Sequence, residues 1–174
     1  MLEHLIAPRP AKTAGRRLYA AAVRQARSPG IYAAFGAPDT PDGRFEIYTY
    51  HLLLLLERLK GGGREAAAAS QAAFDAYISG LDHGLRELAV GDLSVGKAMR
   101  RLGEAFYGRA KAWSSAVEAL PDRGPMEELI ARTVLSGVAD PRPAPLADYL
   151  LEARRKLAAT SLERLLEGEP DWPV

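Results

Sequence analysis

Apolar residues recur three and four positions apart through most of the chain, and no stretch sustains the strict apolar–polar alternation of a half-buried strand. The first such segment, 11–27, is rich in Ala, Arg and Leu, places Leu18, Ala22 and Gln25 on one side, and stops before Ser28-Pro29-Gly30. Residues 31–35 suggest a single helical turn, and the Gly, Pro and Asp density of 36–43 marks an ordered loop. From Arg44 onward, Phe45, Tyr48, Leu52, Leu55, Leu56 and Leu59 form one broad stripe that ends at Gly61-Gly62-Gly63. A third long helix is expected over 64–88, with Phe74, Tyr77, Ile78, Leu81, Leu85 and Leu88 in phase and Gly80 and Gly84 as candidate breaks. After a tight turn at Val90-Gly91-Asp92, Ser94 is the expected cap of a helix to about residue 120. Its face of Val95, Met99, Leu102, Phe106, Ala110, Trp113 and Val117 should turn inward. Pro125 suits the first turn of a short helix to about 135, and Pro145 that of a helix over 146–157. Thr160-Ser161-Leu162-Glu163 reads as a capping box for a last short helix.

Few β-branched residues and no alternation predict an all-α fold, a single-domain helical bundle of six to eight helices over residues 1–174. A chain of 174 residues with 48% hydrophobic residues suffices for one core. The apolar run 52–56 is flanked by His51 and Glu57, and no window reaches the ~18 uninterrupted apolar residues of a membrane span. The absence of cysteine removes disulfides, thiol catalysis and the commonest structural zinc sites. A formal charge of +1 makes no case for a dedicated DNA or RNA binder. The distribution is uneven: residues 1–38 hold Arg9, Lys12, Arg16, Arg17, Arg24 and Arg27 against Glu3 alone, whereas 121–174 carry seven basic and ten acidic residues. The start is Arg-rich but poor in Ser and runs directly into patterned helix, so it reads as mature sequence. Arg16, Arg17 and Arg24 form a candidate basic surface, either a solvated helix face or one that attracts anionic lipid or RNA.

The sharpest enzyme-like motif is 91–97, Gly-Asp-Leu-Ser-Val-Gly-Lys, which fits the G-x-x-x-x-G-K of a phosphate-binding loop. Ala98 stands where a magnesium-binding hydroxyl belongs, and the segment before Gly91 has helical rather than strand spacing. The competing reading is a helix-to-helix turn eased by Gly91 at positive φ. His4, His51 and His83 lack the spacing of helical metal ligands, and Asp39-Asp42-Gly43 fails as a calcium loop, so neither metal nor cofactor is expected. No nucleophile elbow occurs, and Asp82 with Arg86 makes an ordinary i, i+4 ion pair. The expectation is a non-enzyme, with a small nucleotide-binding enzyme or a generic helical adaptor as the alternatives.

Between residues 18 and 119 several motifs follow one another in order: Tyr19, Gln25-Ala26-Arg27 with Pro29 and Tyr32, Gly36-Ala37-Pro38-Asp39-Thr40, and Asp42-Gly43-Arg44-Phe45-Glu46. His51, Gln71 with Phe74-Asp75, Asp82 with Leu85-Arg86-Glu87, Val90-Gly91-Asp92, Lys97 and Ala105-Phe106-Tyr107-Gly108-Arg109 continue the series. In this order and spacing the chain resembles the ubiquinol:cytochrome c reductase chaperone family. Ala37 stands in place of the usual Val and Leu88-Ala89 in place of Met-Gly, and 121–174 carry no recognisable pattern. The resemblance implies an all-helical assembly chaperone for complex III that binds apo or newly inserted cytochrome b. In mitochondria that family works with a small helical co-chaperone near the ribosome exit. The composition suggests a bacterial relative in the cytoplasm at the inner face of the membrane, with peripheral membrane contact; a eukaryotic one would sit in the matrix.

The candidate client- or partner-binding residues under this resemblance are Asp39, Asp42, Arg44, Glu46, Arg86, Glu87, Asp92, Tyr107 and Arg109. The expected surface joins the 39–46 loop to the 106–109 segment, with Tyr107 turned about 100° from Phe106 towards a rim. The charged members form either a loop-locking ion network or a client surface. Replacing Arg44 or Arg109 by Glu is expected to spare the fold. Gly36, Gly43, Gly91 and Gly108 serve turns or close helix contacts, and Phe45, Phe106 and Trp113 the core.

Overall fold

Burying one helix on every side requires more apolar surface than a stripe provides, and the segment with five consecutive leucines supplies it. A computed structural model describes residues 9–87 and 92–173. The helices are α1 Arg9–Ala26, α2 Pro29–Ala33, α3 Pro41–Leu59, α4 Gly63–Glu87, α5 Asp92–Glu118, α6 Gly124–Arg132, α7 Pro143–Ala159 and α8 Leu162–Leu166, and among the described residues there is no strand. Helix α3 packs against α1, α4, α5 and α7. The expected single stripe is therefore half of the picture: Ile47, Tyr50, Leu53 and Leu54 are buried with Leu52, Leu55 and Leu59, whereas Phe45, Tyr48 and Leu56 are only partly covered. Each fully buried leucine contributes about 1.5–3 kcal/mol, so α3 anchors the core.

Polar residues inside α3 all find partners. The Thr49 hydroxyl donates to the Phe45 carbonyl at 2.8 Å and meets the Tyr77 hydroxyl at 2.8 Å, and Tyr50 reaches the Thr133 hydroxyl at 3.0 Å. His51 is fully buried; its Nδ1–H donates to the Ile47 carbonyl and its Nε2 accepts from the Tyr149 hydroxyl, both at 2.8 Å. Gln25 donates to the same Tyr149 oxygen and to the Pro173 carbonyl, while the Trp172 ring stands edge-on to His51. Glu57 accepts from the Trp113 indole at 2.9 Å and from Arg154 at 2.7 Å, tying α5 and α7 to α3. Arg58 donates to the Leu157 and Thr160 carbonyls, satisfying the end of α7.

Several boundaries differ from the pattern-based expectation for local reasons. Helix α3 begins three residues earlier than Arg44, because Thr40 accepts from the Gly43 amide and Pro41 occupies the first turn. Helix α4 runs unbroken through Gly80 and Gly84; a Cβ at Gly80 would overlap the Tyr19 hydroxyl, so that glycine serves the close crossing of α1. Ser94 is the third residue of α5 and not its cap, and Gly91, with its expected positive φ, lies outside the described residues. Helix α6 stops at Arg132, and Pro143 rather than Pro145 opens α7. Ser161 caps α8 by accepting from the Arg164 amide, while the Thr160 hydroxyl donates back to Lys156. The cap thus falls one residue later than expected, since Thr160 is committed to the end of α7, and it is a simple cap and not a capping box because its third helical residue is Arg164. Gly108 lies within α5 with open space where its Cβ would be, so neither a turn nor a close contact explains it.

Helices α4 and α5 run back along each other, with Phe106 meeting Phe74 and Tyr77 at centroid distances of 5.0 and 5.6 Å. Beyond that aromatic junction burial falls away. No described residue of α4 after Tyr77 is buried, and Val95 is the one buried described residue of α5 before Phe106. The far half of this pair is an arm on which Leu85, Met99 and Leu102 are only partly covered. No helix among the described residues is long and apolar enough to cross a membrane.

A candidate client cleft between the helical arm and the body

The arm and the body enclose an open cleft of about 670 Å³. One wall is the arm, through Leu85, Ala98, Arg101, Leu102 and Ala105; the other is the body, through Pro38, Thr40, Asp42, Phe45 and the 133–138 turn with Val134 and Val138. The body wall is fixed by Gly43, which passes so close beneath the Pro38 carbonyl oxygen that any Cβ would overlap it. Phe45, expected in the core, instead lies half-buried with access to this cleft.

At the floor, Arg109 of α5 meets Glu46 of α3 through two hydrogen bonds, one from Nε at 3.0 Å. The Glu46 side chain is 8% exposed and that of Arg109 28%. The hydrogen bond to Glu46 holds the Arg109 pKa above its ordinary value against the opposing effect of burial. Arg109→Glu would set a second carboxylate against a nearly buried one, a loss of roughly 3 kcal/mol, the low end for broken buried pairs because Arg109 is partly wetted. The expectation that this change spares the fold is therefore corrected.

The cleft brings together Asp42, Glu46 and Arg109 of the sequence-derived candidates. Asp39 and Arg44 pair with each other on the outside of the same loop at 2.6 Å, and that hydrogen bond lowers the Asp39 pKa. The Arg44 guanidinium also lies 5.9 Å over the Tyr32 ring. Tyr107 does not line the cleft; it is 66% exposed on α5, edge-on to Phe106 and 6.4 Å from Phe74. Arg86 and Glu87 sit at the end of α4, paired with Asp82 and His83. The Asp92 side chain lies outside the described residues. Arg16, Arg17 and Arg24 are exposed on α1, which contributes nothing to the cleft.

The cleft residues missed by sequence reasoning are Leu85, Arg101, Leu102, Arg132 and the 133–138 turn. Leu85 and Leu102 carry the spacing of core positions, and only the tertiary arrangement leaves them uncovered. As for phosphate binding, the segment from Asp92 through Lys97 lies inside α5, and no described strand precedes it. A phosphate loop needs those residues in an open turn whose amides converge. Among the described residues no three metal-ligating side chains come together.

The fold is shared with a solved structure. The crystal structure of the Cbp3 homolog from Brucella abortus superposes with a TM-score of 0.84 at 33% identity, covering 95% of this chain and 91% of that one. No curated protein sequence matches the chain. The model of the ubiquinol-cytochrome C chaperone family matches residues 33–172, which takes in α3 to α8, including the C-terminal helices without a recognisable pattern, and leaves out the motif residues from Tyr19 to Tyr32. The chain belongs to the ubiquinol-cytochrome C chaperone family.

Proposed function

We propose that this protein is a non-enzymatic assembly chaperone for complex III that holds newly made cytochrome b in the cleft between the arm and the body. The observation that carries this reading is the partly uncovered apolar lining, Leu85 and Leu102 on the arm and Phe45 and Val138 on the body. A membrane client offers apolar helices with charged flanks, and a holder needs apolar area to shield the first and fixed charges to orient the second. The cleft supplies both, since Arg101 and Arg132 at its edge are exposed and pair with no described residue. Such a chaperone would act in the cytoplasm at the inner face of a bacterial membrane.

The test is a pulldown in mild detergent from the native cell, with the unmodified chain and with Leu102→Asp and Arg101→Glu. Recovery of apo-cytochrome b by the unmodified chain and at least a severalfold loss in both variants, with unchanged circular dichroism, is the expected result. Equal recovery by folded variants removes the cleft from recognition, and failure of the unmodified chain to recover cytochrome b removes the client.

A further inference from the structure

Helix α1 carries no acidic residue along its 18 residues. It packs against α3, α4 and α8, so Ala11, Ala14, Leu18, Ala21, Ala22 and Ala26 turn inward. At 100° per residue the exposed cations Lys12, Arg16, Arg17 and Arg24 share an arc of about 140°, along a helix about 27 Å long. None of the four forms an ion pair with a described residue. Arg27 continues the row past the end of the helix, bonded to the Tyr48 hydroxyl rather than to a carboxylate. The carboxylate lining the groove between α1 and α4 is Asp75, which already accepts from Gln71.

We infer that the exposed face of α1 is a membrane-docking surface, binding the anionic headgroups of a phospholipid bilayer by charge alone and without insertion. The row is straight and uncompensated, which suits a planar array of negative charge. Thr13, Ala20 and the partly covered Val23 lie among the cations, so the arc has no exposed large apolar anchor of the kind found at the centre of a protein interface. The ring that borders it, Tyr19, is partly covered with its hydroxyl lodged against Gly80 of α4, whereas single-stranded RNA is gripped by stacking on exposed rings; the exposed large hydrophobic residue, Tyr107, is on α5. No residue of α1 lines the cleft, so docking is independent of the client reading and leaves the cleft free while the protein is bound.

Co-sedimentation of the full chain with vesicles tests the inference, comparing phosphatidylcholine alone with phosphatidylcholine containing phosphatidylglycerol. Binding is expected only to the anionic vesicles and should fall steeply with added salt. Each lysine or arginine near such a surface strengthens partitioning about fivefold, so Lys12→Gln, Arg16→Gln and Arg24→Gln together should weaken it about 100-fold with unchanged circular dichroism. The inference is overturned by absence of binding at low salt, by equal binding to neutral vesicles, by salt-independent binding, or by a folded triple variant that binds normally. Preferential capture by single-stranded RNA in competition with anionic vesicles also overturns it. If the triple variant misfolds, the salt and lipid series on the unmodified chain decides. Leu102→Asp should leave vesicle binding untouched, which separates this result from the fate of the client reading.

Discussion

Helix α3 and the far half of the α4–α5 arm are built from the same kinds of residue and put them to opposite use. In α3 even the polar positions Glu46, Thr49 and His51 are buried and paired, so nearly every side of the helix supports the fold. Along the arm Leu85, Met99 and Leu102 keep helical core spacing yet remain partly uncovered. Apolar surface left over from folding is what a holder could offer a client, and along the arm it lies beyond the core that α3 anchors.

The sharpest way to break that contrast is a matched pair of truncations followed by urea denaturation. Leu55→Ala, at a fully buried site, should cost about 2–5 kcal/mol, whereas Leu102→Ala should cost less than about 1 kcal/mol. Similar losses would show the arm to be as integral as α3. An acid titration probes α3 from a different direction. Burial lowers the His51 pKa from 6.5 to about 4, opposed by its hydrogen bond to the Ile47 carbonyl. Between those values the unfolded chain takes up a proton that the folded chain refuses, so stability present above pH 6.5 falls as pH drops and the loss levels off below about 4. Its full extent is about 3 kcal/mol, and His51→Gln should flatten that part of the pH profile. The smallest effect is expected beside the aromatic junction, where Tyr107→Ala should change stability by under about 0.5 kcal/mol and, because Tyr107 lies outside the cleft, leave client recovery unchanged. A large loss of stability there would make Tyr107 part of the fold.

Helix existence was readable because three- and four-residue spacing is local, and it located all the long helices to within a few residues. The centrality of α3 was hidden because Glu46, Thr49 and His51 look like surface residues until Arg109, Tyr77 and Tyr149 arrive from distant segments. For the same reason the Glu57 junction with Trp113 and Arg154 had no signature along the chain. The candidate cleft was half legible. The motifs between Asp39 and Glu46 and around Arg109 pointed to one wall and the floor, but the opposite wall depends on how far the arm stands from the 133–138 turn. That spacing is a tertiary property, and Leu102 reads as a core residue without it.

The pairing of α3 with α7 also has a consequence in time. His51, Glu57 and Arg58 all complete their bonds with residues of α7 or the residue just after it, and α7 is finished only about 100 residues after the end of α3. During synthesis at about 5–20 residues per second, α3 therefore waits about 5–20 s before that side of it is covered. A ribosome stalled between α4 and α7 would hold out a nascent chain with five consecutive leucines lacking their last partner. The helper is for that interval a client itself, and slow codons placed there should raise its own aggregation before they affect anything it assembles.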